Sequence, residues 1–442
     1  MKNIAIELGL ASETNDVEKY ADAFEDEMLR GLRGEESSLL MLPTYICQEE
    51  LASALDMGEE DFERGGNEGA NVAVIDAGGT NLRIALVGFA GGAPNIRRFA
   101  KYPVPGSQKA VSAEEFFDAL AVYLEPIISQ SDRIGFCFSN PAEILPNKDA
   151  KIITFTKEVQ VSGAAGTVLG ESLNEALRRR GAPHGKKIVV LNDTVATHLS
   201  AMANPGERKK HAGHIGLILG TGINASYPEQ NSAITKNDAL RVKSGATVIN
   251  TEAGGFDKFP QNEVDSRFMA ATADPSYHRF EKMASGAYQY ALLLEWIRHA
   301  ADLKAFSSAF SERLGTLASI PIGDADLFLF GSGDDALTKL CASDADARGL
   351  RQLIEAFFDR IAFMTAAMLT GILKRMGETP KDPERPVCIS AEGTTFYNAK
   401  LLRPGLERHM KAAAADRLGL NYEFTRIENA TIIGSAVAGL TA

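Results

Sequence analysis

Apolar positions recur at three- and four-residue steps between Asn15 and Leu32. Val17, Tyr20, Phe24, Met28 and Leu32 line one face, so the spacing predicts an amphipathic helix. The stretch from Met57 to Asn71, MGEEDFERGGNEGAN, is polar and rich in glycine, and it reads as a loop or hinge. After it the apolar runs become short and closely spaced. Val72–Asp76, Leu82–Phe89 and Asn95–Tyr102 have strand length, punctuated by glycines and Asn81. A helix over Ala113–Ile128, a strand over Arg133–Ser139 (RIGFCFS), a helix over Thr167–Arg179 and a strand over Lys187–Asn192 (KIVVLN) complete this half. The order β-β-β-α-β-α-β predicts a mixed sheet with helices.

A second round follows. HAGHIGLILGTGINASYPE gives strands around a Gly-Thr-Gly turn, and ATVINTEAGGF comes next. A long helical region from Phe280 to Phe310, a helix from Arg348 to Met376, a strand in PVCISAEGTT and a terminal helix in TIIGSAVAGLTA close the chain. The two rounds share almost no sequence identity, yet a strand–glycine turn–strand unit recurs. That predicts two related lobes with a cleft between them, and a chain of 442 residues is long enough for two domains.

Composition narrows the function classes. The chain is 45% apolar and carries a formal net charge of −12, without a concentrated basic patch, so nucleic acid is not expected as a partner. Cys47, Cys137, Cys341 and Cys388 are scattered, with no CxxC spacing for zinc and no disulfide framework, which suits a reducing cytoplasm. The N-terminus lacks a signal-peptide pattern. No run reaches the roughly 18 consecutive apolar residues of a membrane span, so no membrane partner is expected.

Four glycine turns are candidate phosphate cradles: Asp76–Thr80 (DAGGT), Gly220–Asn224 (GTGIN), Gly331–Asp335 (GSGDD) and Glu392–Thr394 (EGT). Glycine lets backbone N–H groups approach an anion, and Thr80 and Thr221 add hydroxyl donors. An ordinary hairpin turn has similar composition. Asp76 repels bare phosphate but suits a phosphate carrying Mg²⁺ through water, with Arg83 across the hairpin as counter-charge. GSGDD ends in two acids and reads as an ordinary loop, while GAPHGKK at Gly181–Lys187 lacks the length and final hydroxyl of a P-loop. Asn192 and Asp193 stand where an apolar strand gives way to a helix, where either a cap or a reactive carboxylate fits. Thr156, Lys157, Asn250 and Glu252 occupy comparable strand ends, and such residues could converge in one cleft. His198, on the helix after Asp193, reads as a satisfied structural histidine.

Taken together, several segments resemble the eukaryotic-type hexokinase family, in order, from about Met41 to Ala442. MLPTYI resembles its N-terminal signature, VIDAGGTNLRIALV its first phosphate motif, and FCFSNPAE with TFTKEVQVSG its sugar signature. LNDTVATHLS is similar to the catalytic-aspartate segment, IGLILGTGINASYPE to the second phosphate motif and INTEAGGF to the next sugar segment. FEKMASGAYQYALLLEW and VCISAEGTTFYNAK resemble a sugar-binding helix and the adenosine motif.

The resemblance implies an α/β, two-lobed actin-like ATPase (ribonuclease H-like) fold, with mixed sheets, helices and a central cleft. A small lobe is expected from 71–192 plus 431–442, and a large lobe from 1–70 plus 193–430. It implies phosphorylation of the C6 hydroxyl of a hexose, D-glucose foremost, by ATP with Mg²⁺, feeding glycolysis. By the same resemblance Asp193 is the general base and Lys157 stabilises charge on O6. Ser139, Thr156, Lys157, Asn192, Asp193, Asn224, Glu252 and Glu281 bind the sugar. Asp76, Gly78, Gly79, Thr80, Asn81, Arg83, Gly220, Thr221, Gly222, Gly393 and Thr394 surround the nucleotide, with Asp76 holding the metal through water. A cytoplasmic monomer or homodimer is expected. Departures stand at Ala77, Asn140, Ala253 and Glu392, where the family commonly has leucine, an aromatic, a bulky residue and aspartate. Asn140 and Ala253 bear on sugar preference and Glu392 on nucleotide preference. A sugar sensor without turnover and a chaperone-like actin-fold ATPase are the competing classes.

Overall fold

The computed structural model describes residues 4–10, 16–63, 70–78, 81–90, 93–155, 159–331 and 333–442. Its strands in the first half are β1 (Leu42–Cys47), β2 (Asn71–Ala77), β3 (Asn81–Ala90), β4 (Ala93–Pro103), β5 (Val111–Ser112), β6 (Arg133–Phe138), β7 (Ala142–Ile144), β8 (Ala150–Ile152), β9 (Val161–Ser162) and β10 (Lys187–Leu191). Those in the second half are β11 (Gly213–Leu219), β12 (Ile223–Gln230), β13 (Ala246–Asn250), β14 (Val387–Glu392) and β15 (Tyr422–Thr425).

The five-stranded sheet has the order β10-β6-β2-β3-β4, and the six-stranded sheet the order β1-β13-β12-β11-β14-β15. Read from β13, the second repeats the first: an antiparallel meander whose innermost strand continues into parallel neighbours. The recurrence expected from the two glycine turns is therefore present as topology, with β1 added at one edge.

Each sheet is built by alternation. In β2, Ala73, Ile75 and Ala77 enter one core with Phe116, Leu120 and Leu173. Val72 and Val74 enter another with Leu51, Val195 and Val437. This second core also takes in Val248 of β13, so it joins the two sheets. The helix Ala430–Leu440 supplies much of it and makes close glycine contacts on two sides: a Cβ at Gly135 of β6 would collide with the Ser435 carbonyl, and one at Gly434 with the carbonyl of Ala196 in the helix Asp193–Ser200. The largest core surrounds the helix Asp344–Arg375. That helix is long and apolar enough to cross a membrane by length and composition, a property that a count of uninterrupted apolar residues does not register; here most of its apolar stretch is buried inside the protein.

Three expectations need correction. The loop expected from Met57 is helical to Glu63, in the helix Gln48–Glu63, because the good helix formers on either side of Gly58, Met57, Glu59 and Glu60 among them, offset the cost of that one glycine; residues 64–69 lie outside the described residues. The single helical region expected over Phe280–Phe310 is three helices, Arg279–Ala284, Gln289–Asp302 and Ser308–Leu314. The helix expected to reach Ile128 stops at Leu124.

Candidate active site

The end of β2 brings the first group together. Antiparallel pairing sets Arg83 opposite Asp76, and parallel pairing with β6 sets Cys137 on its other flank. Asp76 is buried, and its Oδ2 makes an ion pair with the Arg83 guanidinium. The Thr431 hydroxyl, 355 positions away in sequence, donates to the same oxygen at 2.7 Å. It also accepts from Arg83 Nη2 at 2.8 Å. Beneath them the Cys137 thiol is fully buried, and burial together with Asp76 and Asp193 pushes it far above the ordinary thiol range. The expected hairpin turn follows, with Gly78 N–H donating to the Asn81 carbonyl at 3.2 Å. Gly79 and Thr80 lie outside the described residues.

The helix Asp193–Ser200 begins directly after β10. Asn192 caps it, its side-chain oxygen accepting from Thr194 N–H at 2.8 Å, so the capping role is realised and the amide NH₂ is left to other partners. Asp193 is the first helical residue and partly exposed. Its helix sits close on the six-stranded sheet because β11 has glycine there: a Cβ at Gly216 would collide with the Thr194 carbonyl. Ser226 Oγ donates to that same carbonyl at 3.0 Å. Burial, then Asp76, with a further push from Glu252, raises the Asp193 carboxyl to about 6, against the opposing Thr194 hydrogen bonds. Asp193 is thus in electrostatic reach of Asp76 from one sheet and Glu252 from the other.

The second group grows from β12 and β13. Ser226 pairs directly with Asn250, which makes Asn224 a diagonal neighbour on the same face. Asn224 Nδ2 donates to Asn250 Oδ1 at 2.8 Å, and Asn250 Nδ2 donates to Glu252 Oε1 at 2.7 Å. Asn224 Oδ1 accepts from the backbone N–H groups of Ala225 and Ala253, at 2.8 and 3.1 Å. Glu252 holds a left-handed backbone (φ 56°), a costly conformation for this residue type that the network around it sustains. Glu281, on Arg279–Ala284, accepts from Ile223 N–H at 3.4 Å. Burial raises both glutamates above the ordinary carboxylate range. Ser139 follows β6, its N–H donating to the Ala77 carbonyl at 3.3 Å.

The Gly-Thr-Gly turn is held from three sides. Gly220 N–H donates to the Gly222 carbonyl at 2.9 Å, and the Gly220 carbonyl accepts from Gly286 N–H at 2.8 Å and Thr395 Oγ1 at 3.0 Å. Ala287 N–H reaches the Thr221 carbonyl at 3.1 Å. Gly393 packs against this turn with φ 120°, and a side chain there would strike the Leu219 carbonyl, so the position demands glycine. Thr394 is exposed at the start of the helix Thr394–Asn398. Burial raises the neighbouring Glu392 carboxyl, with Arg426 and Arg83 opposing, which brings Glu392 near the Asp76–Arg83 pair.

Thr156 and Lys157 lie outside the described residues. Asn140 and Ala253 are both buried. In the GSGDD segment Asp335 caps the helix Ala336–Leu340, in keeping with an ordinary loop. His198 departs from its expectation: it is buried, but among the described residues neither ring nitrogen has a hydrogen-bond partner, and burial lowers it to about 4. Thr431, Gly286 and Thr395 were not among the sequence candidates. Only the three-dimensional approach of distant segments reveals them.

Among the described residues no three His, Cys, Asp or Glu side chains converge as metal ligands. Asp76 is a single carboxylate whose Oδ2 already meets Arg83 and Thr431. That donor set fits a hydrated cation arriving with a polyphosphate and held through water, rather than a resident ion.

Comparison with known proteins settles the family. Hexokinase family profiles match residues 4–203 and residues 214–441. The chain belongs to the hexokinase family, a family of hexose kinases. Hexokinase-5 of Oryza sativa is 26% identical over 464 residues, covering 98% of this chain and 87% of the relative. Hexokinase-3 of Mus musculus is 29% identical over 404 residues, covering 84% of this chain, while the chain spans only 40% of the mouse protein. Among solved structures, a Schistosoma mansoni hexokinase complexed with glucose superposes with a TM-score of 0.77 at 23% identity, covering 99% of this chain and 98% of its own. A hexokinase from the ROK family of Thermus thermophilus gives 0.51 at 15% identity, covering 84% and 97%. The actin-like ATPase fold expected from the motifs is the fold of this chain.

Proposed function

We propose that this chain is an ATP-dependent hexokinase that phosphorylates the C6 hydroxyl of a hexose, D-glucose foremost, with Asp193 as general base. The observation that carries this reading is the setting of Asp193. It opens a helix between the two sheets, close enough to Asp76 and Glu252 for both to raise its proton affinity, and its carboxyl sits at about 6. A base poised there is ionised at neutral pH yet able to accept a proton as O6 attacks, an aid worth about 10²–10⁴ in rate. The glucose complex of the Schistosoma relative supports the choice of sugar.

The remaining residues divide the work. Ser139, Asn192, Asn224, Glu252 and Glu281 offer donors and acceptors to sugar hydroxyls. Such a site rejects analogues lacking one hydroxyl far better than an apolar pocket does. Asp76, Arg83, Gly78, Asn81, Gly220, Thr221, Gly222, Gly393 and Thr394 would receive the nucleotide. Bound Mg²⁺ would supply charge neutralisation at the phosphates, with Asp76 holding it through water. Thr156, Lys157, Gly79 and Thr80 take their roles from the motif resemblance alone. The lobes proposed are 71–192 plus 431–442 and 1–70 plus 193–430. A sugar bridging them gains contacts in a closed state and shifts the population toward it. The four cysteines are free, which suits a cytoplasmic setting, and the product is a hexose 6-phosphate of the kind that enters glycolysis.

The test is sugar-dependent ADP release from MgATP across glucose, mannose, fructose, galactose and N-acetylglucosamine. Glucose is expected to give the highest kcat/KM. ADP release that no sugar stimulates would contradict the reading.

A further inference from the structure

A hydroxyl outside the sequence motifs touches the charge centre of the nucleotide side. Thr431 lies in the first turn of the helix Ala430–Leu440, after Asn429 in a left-handed conformation (φ 55°). Its Oγ1 donates to Asp76 Oδ2 at 2.7 Å and accepts from Arg83 Nη2 at 2.8 Å. Arg83 meets the same carboxylate oxygen. The three side chains close a ring in which each member is fixed by the other two. A hydroxyl suits this place because it can donate to the carboxylate and accept from the guanidinium at once. An aliphatic side chain of equal size can do neither.

The backbone under Thr431 is also constrained. Gly434 lets its helix press against the carbonyl of Ala196, on the helix that Asp193 opens, and Gly135 and Gly439 bring it against β6 and β2. Thr431 is therefore carried by an element locked both to the strand bearing Asp76 and to the helix bearing Asp193.

We propose that Thr431 is a positioning residue for phosphoryl transfer: it orients the Asp76 carboxylate, and the Arg83 guanidinium paired with it, toward the metal–nucleotide complex. This rests on the reading of Asp76 as the residue that holds the hydrated cation. Hydrogen bonds to charged groups are the strong ones, and losing one here is expected to cost about tenfold to a hundredfold in binding of the metal-loaded nucleotide.

The test compares Thr431→Val and Thr431→Ser with Asp76→Ala, by calorimetry of the non-hydrolysable analogue AMPPNP with and without Mg²⁺, alongside kcat, glucose affinity and Tm. Thr431→Val is expected to weaken Mg²⁺–AMPPNP binding at least about tenfold and to lower kcat. Metal-free AMPPNP and glucose binding should change little, and Thr431→Ser should restore the loss. Should the valine variant fail to fold, Thr431→Ala, which also lacks the hydroxyl, takes its place with the same expectation. If Asp76→Ala loses its Mg²⁺ response while Thr431→Val behaves as the parent, the Thr431 role is wrong and the Asp76 reading stands. A Tm loss in Thr431→Val with parental Mg²⁺–AMPPNP binding means a structural residue only, and overturns the proposal. If Asp76→Ala itself keeps a parental Mg²⁺ response, the Asp76 reading fails and the Thr431 role goes with it.

Discussion

The carboxylates on the two sides of Asp193 are treated in opposite ways. Asp76 is buried with a guanidinium and a hydroxyl on one of its oxygens. Glu252 and Glu281 have carboxamides and backbone N–H groups as direct partners, and burial raises both. A built-in counter-ion offsets part of the cost of burying a carboxylate, an arrangement that suits the metal-holding role proposed for Asp76. Carboxylates held by neutral donors are better suited to exchanging hydrogen bonds with hydroxyls, where a fixed cation would compete. Asp193 belongs to neither class. Among the described residues no cation forms an ion pair with it, and carboxylates from both sides raise its proton affinity.

Removing the carboxylate proposed as base is the strongest way to break this division. Asp193→Asn keeps shape and some hydrogen bonding, so kcat should fall by about 10² or more while calorimetry still records hexose binding near the parental affinity. Near-parental turnover would remove Asp193 from the chemistry.

A crossed pair of substitutions sharpens the contrast. Asp76→Ala should raise the Mg²⁺ concentration needed for half-maximal rate and cut turnover, leaving the hexose KM close to parental. Glu252→Gln should raise the hexose KM by about tenfold to a hundredfold and leave the Mg²⁺ dependence alone. Steady-state kinetics varying sugar and metal separately will show whether the two effects segregate. If each variant moves both parameters equally, the two sides are not functionally distinct.

A smaller effect is expected at the Gly-Thr-Gly turn. Gly393→Ala forces a side chain into φ 120° and against the Leu219 carbonyl. It should lower stability by about 1–3 kcal/mol in chemical denaturation and raise the KM for MgATP, with the hexose KM unmoved. An unchanged unfolding midpoint would mean that this turn yields more easily than its packing implies.

The nearer a feature lay to a local pattern, the more of it the sequence made legible. The short apolar run Val72–Asp76 predicts the strand, and the hairpin spacing anticipates Arg83 opposite Asp76, but with both faces apolar nothing in the run says which core each face enters. Strand β1 escaped notice because Pro43 and the left-handed Tyr45 (φ 58°) interrupt it, the left-handed Met41 (φ 48°) stands just before it, and its register shifts between Pro43 and Cys47. The break after Ala284 is set by tertiary contact: Gly286 must approach the Gly220 carbonyl and Thr395, a demand that the helical periodicity from Phe280 does not encode. Thr431 was invisible for a related reason, since its partner at Asp76 is 355 positions away and no local rule connects them. His198 shows the opposite failure: its place on the helix after Asp193 suggested a satisfied structural ring, and the surroundings supply no partner among the described residues.

The proton affinity of Asp193 has consequences of opposite sign for rate and for stability. Its folded-state value of about 6 stands above the ordinary 3.8, so its contribution to stability is full below about pH 3.8 and is lost as pH rises through about 6. In its proposed role as general base Asp193 acts deprotonated, so the rate runs the other way. The most direct test is therefore the pH dependence of kcat/KM for glucose at saturating MgATP, in the parent and in Asp193→Asn. A general base at about 6 requires a one-proton acid limb with its midpoint near pH 6 in the parent, and no such limb in the residual activity of the variant. A parent profile flat from about pH 5 to 8, or a limb that persists in Asp193→Asn, would contradict it.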